Sequence, residues 1–189
     1  MPRPLFDHFG LLASFYDRVI HPSHPTYLLE LLALEPGQQL LDVGGGTGRV
    51  TQYFREAEIM PTIVDPSLKM LRCAQGKACC VTCQGLSESL PFADDAYARV
   101  VAVDSFHHFW DHERAARELL RVLMPGGRMV IEEPDIRRFP VKLIALMEQL
   151  TLMRSRFYPP DALAELFICA GGTVRVLEGG VTYWAVVEK

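Results

Sequence analysis

The residues best equipped for chemistry are an aspartate and the glycines after it, in Leu40-Leu41-Asp42-Val43-Gly44-Gly45-Gly46-Thr47-Gly48-Arg49-Val50. Glycine has no Cβ, so such a turn can take positive φ and let a ligand lie against main-chain N–H groups where a helix opens. A second acid, Asp65, ends the next apolar run, where a carboxylate can accept hydrogen bonds from both hydroxyls of a ribose. Spacing narrows the choice of nucleotide. Counted from Gly44, the dinucleotide pattern G-x-G-x-x-G needs its third glycine at position 49, and Arg49 stands there. The phosphate-cradling run G-x-x-x-x-G-K-[ST] is absent from the sequence. An acid two residues before G-x-G-x-G would repel a pyrophosphate but suits a cationic ligand with an ammonium group. The plain alternatives are a tight strand-to-helix connection for the glycines and helix capping for Asp65, although Ser67 can cap that helix itself.

A second group of candidates lies in Asp104-Ser105-Phe106-His107-His108-Phe109. Asp104 follows a strand at the sheet edge where α/β folds bind ligands, and either histidine could take a proton from a hydroxyl or simply fill a polar gap. Glu132 and Glu133 end a later strand beside the same cleft, and at least one of them is expected to be solvated or structural. The chain has five cysteines, an odd count that argues against a disulfide framework, and Cys80-x-x-Cys83 is expected inside a short buried strand, not as a redox or zinc motif. No metal site is expected, because the histidines and carboxylates show no ligand spacing.

Holding these groups requires an alternating scaffold. Phe9, Leu12, Ala13, Tyr16 and Ile20 recur at helical spacing, and a second helix is expected from Pro25 to Pro36-Gly37. Strands are then expected at 39–43, 62–64, 79–83, 99–103 and 128–132, with helices after the first, second and fourth, the last of them over 113–123 and stopped by Pro125-Gly126-Gly127. Such alternation means a parallel sheet wrapped by helices. Residues 137–158 interrupt the rhythm with an amphipathic helix carrying Leu143, Ile144, Met147 and Leu150. After a helix from Asp161, strands at 173–177 and 181–187 are joined only by Glu178-Gly179-Gly180, too short for a parallel crossover, so the last strand must run antiparallel.

A cationic nucleoside with an ammonium group describes S-adenosylmethionine. The chain also resembles the class I S-adenosylmethionine-dependent methyltransferases, in the group that includes the ubiquinone and menaquinone biosynthesis enzymes (methyltransferase type 11). The resemblance rests on the glycine segment, on Ile63-Val64-Asp65-Pro66-Ser67 with Met70, on Gly85-Leu86-Ser87-Glu88-Ser89-Leu90-Pro91-Phe92, and on Leu120-Arg121-Val122-Leu123-Met124-Pro125-Gly126-Gly127. It implies a Rossmann-like, doubly wound α/β sheet of seven strands in the order 3-2-1-4-5-7-6, with strand 7 antiparallel. Asp42 and the Gly44, Gly45 and Gly46 backbone would then face the methionine part of the cofactor, with Asp104 near the same end. Asp65 would bind the ribose, and Pro66 and Met70 would flank the adenine. Relatives often carry an aspartate where this chain has Leu86, so Gly85, Leu86 and Ser87 are expected to reach the ring through backbone and hydroxyl groups. The resemblance favours His108 as proton acceptor and sets Tyr16 in a segment that covers the cofactor in relatives; Tyr16, His107 and Met147 are the residues expected toward the substrate.

Composition bounds the partners. The 189 residues, 49% hydrophobic and 22% charged, suit one domain, expected over 1–189 with a helical cap at 1–36 and a lid-like insertion at 136–158. A net charge of −4 gives no uniform field for nucleic acid, and no apolar run approaches a membrane span, so a cytoplasmic protein is expected. The segment 137–156 is locally basic. It could cover a greasy small-molecule acceptor, rest peripherally on an anionic membrane, or pack on the sheet with its arginines in water. Two other functions fit less well: a non-catalytic module that binds S-adenosylmethionine, and a nicotinamide-dependent oxidoreductase. The sequence leaves the oligomeric state open.

Overall fold

The computed structural model describes residues 25–57, 59–77, 80–150 and 155–189. The expected first helix, with Tyr16, lies outside these residues, as does Cys79. In chain order the elements are α1 (Pro25–Leu32), β1 (Leu40–Val43), a 3₁₀ helix (Thr51–Ala57), β2 (Thr62–Asp65), α2 (Leu68–Lys77), β3 (Val81–Gln84) and β4 (Tyr97–Val103). After a 3₁₀ turn (Phe106–His108) come α3 (His112–Val122), β5 (Leu123–Pro134), α4 (Phe139–Leu150), α5 (Pro160–Cys169), β6 (Thr173–Gly179) and β7 (Thr182–Glu188).

The strands form one seven-stranded sheet in the order β3-β2-β1-β4-β5-β7-β6, as expected. Neighbours are parallel from β3 through β5, and β7 runs antiparallel between β5 and β6. Strand geometry sends alternate side chains to opposite faces, and this sheet buries both. Leu41, Val43, Val100, Ala102, Met129 and Ile131 meet Ala115, Leu119, Leu163 and Phe167 of α3 and α5 on one face. Leu40, Val101, Val103, Val130 and Trp184 meet Leu28, Leu32 and Phe54 on the other. Each such Val or Leu contributes about 1.5–3 kcal/mol by leaving water. This two-sided burial makes the carboxyl ends of β1, β2, β4 and β5 a rigid edge.

Three details depart from the sequence reading. β3 is an edge strand with Val81 exposed, because only β2 pairs with it, so the segment with Cys80 and Cys83 is not the buried strand expected. α3 stops at Val122 and not at residue 123, since Leu123 turns extended and pairs with Tyr97. The glycine turn leads into a 3₁₀ helix and not an α-helix, so no long helix dipole backs it.

Candidate functional site

The glycine turn follows β1, and each glycine has its own reason. Gly44 has φ +72°, and a Cβ there would lie 2.7 Å from the Cβ of Ser105. A Cβ on Gly45 would lie 2.6 Å from the carboxylate carbon of Asp42. Gly46, with φ +55°, has nothing nearer than 3.9 Å to its missing Cβ, so its outer side is open. The N–H of Gly44 donates to Val64 O at 2.8 Å, and that of Gly46 donates to Asp65 Oδ2 at 3.1 Å. Those two main-chain donors therefore hold the protein together instead of facing outward, contrary to the sequence reading. The Asp42 carboxylate lies beneath the turn at 1% exposure and accepts from Thr51 Oγ1 at 2.5 Å. Burial outweighs the opposite pull of Thr51 and Arg49 and raises its pKa to about 6.

Asp65 ends β2 with its carboxylate over the same turn. Its Oδ1 also accepts from Ser67 N–H at 2.8 Å, while Ser67 Oγ accepts from Met70 N–H at 3.4 Å, so both residues cap the start of α2. A carboxylate has about four acceptor positions, so these bonds are compatible with ribose hydroxyls as further donors. Beside it Pro66 and Leu86 are exposed, Ser87 is buried, and Met70 is buried beneath. Gly85 is required by packing, since a Cβ would come within 2.9 Å of Val64 Cγ2.

Across the edge Asp104 takes φ +48°, a left-handed conformation uncommon for a non-glycine residue. Its Oδ2 accepts from Arg49 Nη2 at 3.0 Å, with side-chain exposures of 25% and 7% respectively. Burial raises the Asp104 pKa to about 6 against the pull of Arg49, with help from Glu133 and Glu132. Among the described residues, Arg49 Nη1 is buried with no hydrogen-bond partner, an arrangement that is costly unless an anion occupies the place.

Glu133 fixes the following loop. Its Oε1 accepts from Ser105 N–H at 3.1 Å and Phe106 N–H at 2.8 Å, and its Oε2 lies 2.5 Å from His107 Nδ1. His107 is buried and stacks on Phe157 with ring centroids 4.3 Å apart. Burial disfavours the charged ring, but the charge and hydrogen bond of Glu133 outweigh it and raise the His107 pKa. His108 Nδ1 lies 3.2 Å from Ser155 Oγ. Alongside, a hollow of about 360 Å³ under α4 is lined by Ile136, Lys142, Leu146, Ser155 and Phe157 among others.

Comparison with known proteins agrees with this geometry. The family described as "Methyltransferase domain" matches residues 41–131. The 2-methyl-6-phytyl-1,4-hydroquinone methyltransferase of Spinacia oleracea is 34% identical over 141 residues, 68% of this chain and 41% of the spinach protein. Methyltransferase GfsG of Streptomyces halstedii is 31% identical over 86% of this chain and 55% of its own. Over residues 41–131 the chain is similar to methyltransferase domains, and S-adenosylmethionine is the cofactor that this likeness supports. It spans about half the length of these curated relatives. The fold of the methyltransferase solved with the Haloferax volcanii Trm112 activator superposes with TM-score 0.83 at 18% identity, covering 98% of this chain and 99% of that one.

In this chain the residues expected around the cofactor, from Asp42 through Asp65 to Leu86 and Asp104, gather along one edge of the sheet. Three features escaped the sequence reading: the Arg49–Asp104 pair, the hub at Glu133, and the approach of α4 to the histidines. Arg49 was visible as the residue that breaks the dinucleotide pattern, but nothing local in the sequence tied it to Asp104. Both Glu132 and Glu133 are buried, and Glu132 accepts from Trp184 Nε1 at 2.8 Å, so neither is solvated. Met147 lies half-exposed on α4.

Proposed function

We propose that this domain transfers the methyl group of S-adenosylmethionine to a hydroxyl on a small, largely apolar acceptor of the quinol or phenol class. The observation that carries the reading is the buried, partnerless Nη1 of Arg49, on the residue that ends the glycine turn and pairs with Asp104. That place suits the carboxylate of the cofactor's amino-acid end. Asp104 and, more deeply, Asp42 supply negative charge for its ammonium and sulfonium. Asp65 would hold the ribose, while Pro66 and Leu86 border the adenine with Ser87 and the Gly85 backbone behind them. Met70 supports that border from below, without surface of its own to offer.

When bound, the cofactor supplies an activated methyl group on a positively charged sulfur, so alignment is the chain's main task. Holding reactants in line can account for about 7–11 kcal/mol of a barrier, against roughly 10²–10⁴-fold from a positioned proton acceptor. His108 lies 3.2 Å from Ser155, which lines the hollow, and would receive the proton of a hydroxyl there. The helix α4 acts as the lid on this side. It leaves Phe139 80% exposed, with Leu143, Met147 and Leu150 also outside, which supports an apolar acceptor. The name of the spinach relative, a phytyl hydroquinone methyltransferase, points the same way. A membrane role for 137–156 finds less support, because Arg137 and Arg138 both pair with Asp135 and Glu178. Among the described residues no helix is long and apolar enough to cross a membrane.

Calorimetry with S-adenosylhomocysteine, followed by a methyl-release assay over quinols, phenols and small amines, tests the proposal. Binding with turnover on a hydroxylated ring is expected. Absence of binding overturns the reading, and tight binding without turnover across the panel turns it toward a non-catalytic module.

A further inference from the structure

The lid helix brings a carboxylate to the histidine pair. One ligand atom each from His107, His108 and Glu148 lies within 4.8 Å of the other two. His107 is prepared for coordination. Glu133 already accepts from two main-chain N–H groups, so its other oxygen is placed to accept from Nδ1–H of His107, the tautomer in which Nε2 carries the lone pair. A carboxylate on the far nitrogen is the arrangement that orients metal-bound histidines and strengthens their donation. The two imidazoles are held with centroids 3.9 Å apart, and Phe157 backs the His107 ring. Ligand atoms around a tetrahedral zinc ion stand about 3.4 Å apart, from bonds of roughly 2.0–2.1 Å. Closing from within 4.8 Å to that spacing requires side-chain rotation among the three residues.

We infer that His107, His108 and Glu148 form a binding site for one divalent ion of the zinc type, tying α4 to the loop after β4. Two imidazoles and one carboxylate suit zinc or its first-row neighbours and disfavour magnesium, which requires oxygen ligands. Three protein ligands leave a fourth position open toward the hollow under α4. On the methyl-transfer reading above, an acceptor hydroxyl in that position would release its proton to water more readily, and His108 would then serve as a ligand in place of a proton acceptor. The ion site itself does not depend on that reading.

The test is titration of the full chain, stripped with chelator, with Zn²⁺ and Mg²⁺ by calorimetry, and with Co²⁺ as a visible-spectrum probe. One equivalent of Zn²⁺ and a Co²⁺ spectrum with nitrogen and oxygen ligands are expected, with no saturable Mg²⁺ binding. Glu148→Gln and His108→Asn should each weaken Zn²⁺ at least tenfold while leaving S-adenosylhomocysteine affinity within about twofold, which also shows that the variants are folded. Wild-type protein that takes up no Zn²⁺, or variants that bind it equally well through cysteines elsewhere, would overturn the site. Loss of S-adenosylhomocysteine binding in the wild type would instead defeat the proposed function and leave the ion site standing.

Discussion

Arg49→Met removes the cation from a pair whose acid cannot reach water easily, since Arg49 is 7% and Asp104 25% exposed. Breaking such a pair costs about 3–5 kcal/mol when the remaining charge stays buried. Asp104 has an escape, however, because its pKa is already raised to about 6. In the wild type its buried carboxyl favours folding more as pH falls through about 6 toward the usual 3.8, because the folded state then takes up the proton first. In the variant the pull that lowers the Asp104 pKa is gone, so the carboxyl holds its proton to a higher pH than in the wild type. Relative to its protonated form, the folded wild type is lowered by ionisation of Asp104 by about 1.4 kcal/mol at pH 7, one unit above a pKa of about 6, and by almost nothing at pH 5. The penalty of Arg49→Met should therefore stay below the about 3–5 kcal/mol of a charge left buried, and be up to about 1.4 kcal/mol smaller at pH 5 than at pH 7. Urea denaturation of Arg49→Met, Asp104→Asn and the double variant at both pH values measures this. The double variant should be more stable than the sum of the single losses implies. A penalty independent of pH, or strict additivity, would refute the coupling. S-adenosylhomocysteine affinity should fall about 10- to 100-fold in Arg49→Met, equivalent to roughly 1.4–2.8 kcal/mol.

The other tests separate holding the turn from holding the ligand. Gly46→Ala should cost about 1–2 kcal/mol from its positive φ alone yet reduce S-adenosylhomocysteine affinity more than tenfold, whereas Gly44→Ala adds a clash with Ser105 and should destabilise by about 2–5 kcal/mol in thermal or urea unfolding. S-adenosylmethionine should bind about tenfold tighter at pH 7 than at pH 5 if it requires one carboxylate with a pKa of about 6 to be ionised, and calorimetry on Asp42→Asn should show a flatter profile if Asp42 is that group. Asp65→Ala should lose about 0.5–2 kcal/mol of stability with its cap on α2, while Asp65→Asn should recover most of that stability but little of the nucleoside affinity.

The sheet was legible because its signals are local. Apolar runs, glycine stops and the short link around Gly180 fix strands and directions whatever lies elsewhere. The positions of Asp42, the glycines and Asp65 followed from the same turn chemistry. What those groups bond to did not follow, since the main-chain donors of Gly44 and Gly46 reach Val64 and Asp65 only once β2 is laid beside β1. Arg49 and Asp104 are 55 residues apart, and Glu133 reaches the histidine loop across more than 25, so neither leaves a periodic trace. β3 was misread as buried because its apolar letters record a strand without recording how many neighbours it has.

Residues 104–109 stand between two compartments, one bounded by Arg49 and the glycine turn, the other by α4 and Phe157. One anchor, Glu133, braces both sides of that partition. A substitution that reshapes the acceptor wall at His107 therefore also moves the amides of Ser105 and Phe106, and with them the packing of Ser105 on Gly44. Changes in acceptor preference that spare the nucleoside would have to come from α4, whose side chains border only one compartment.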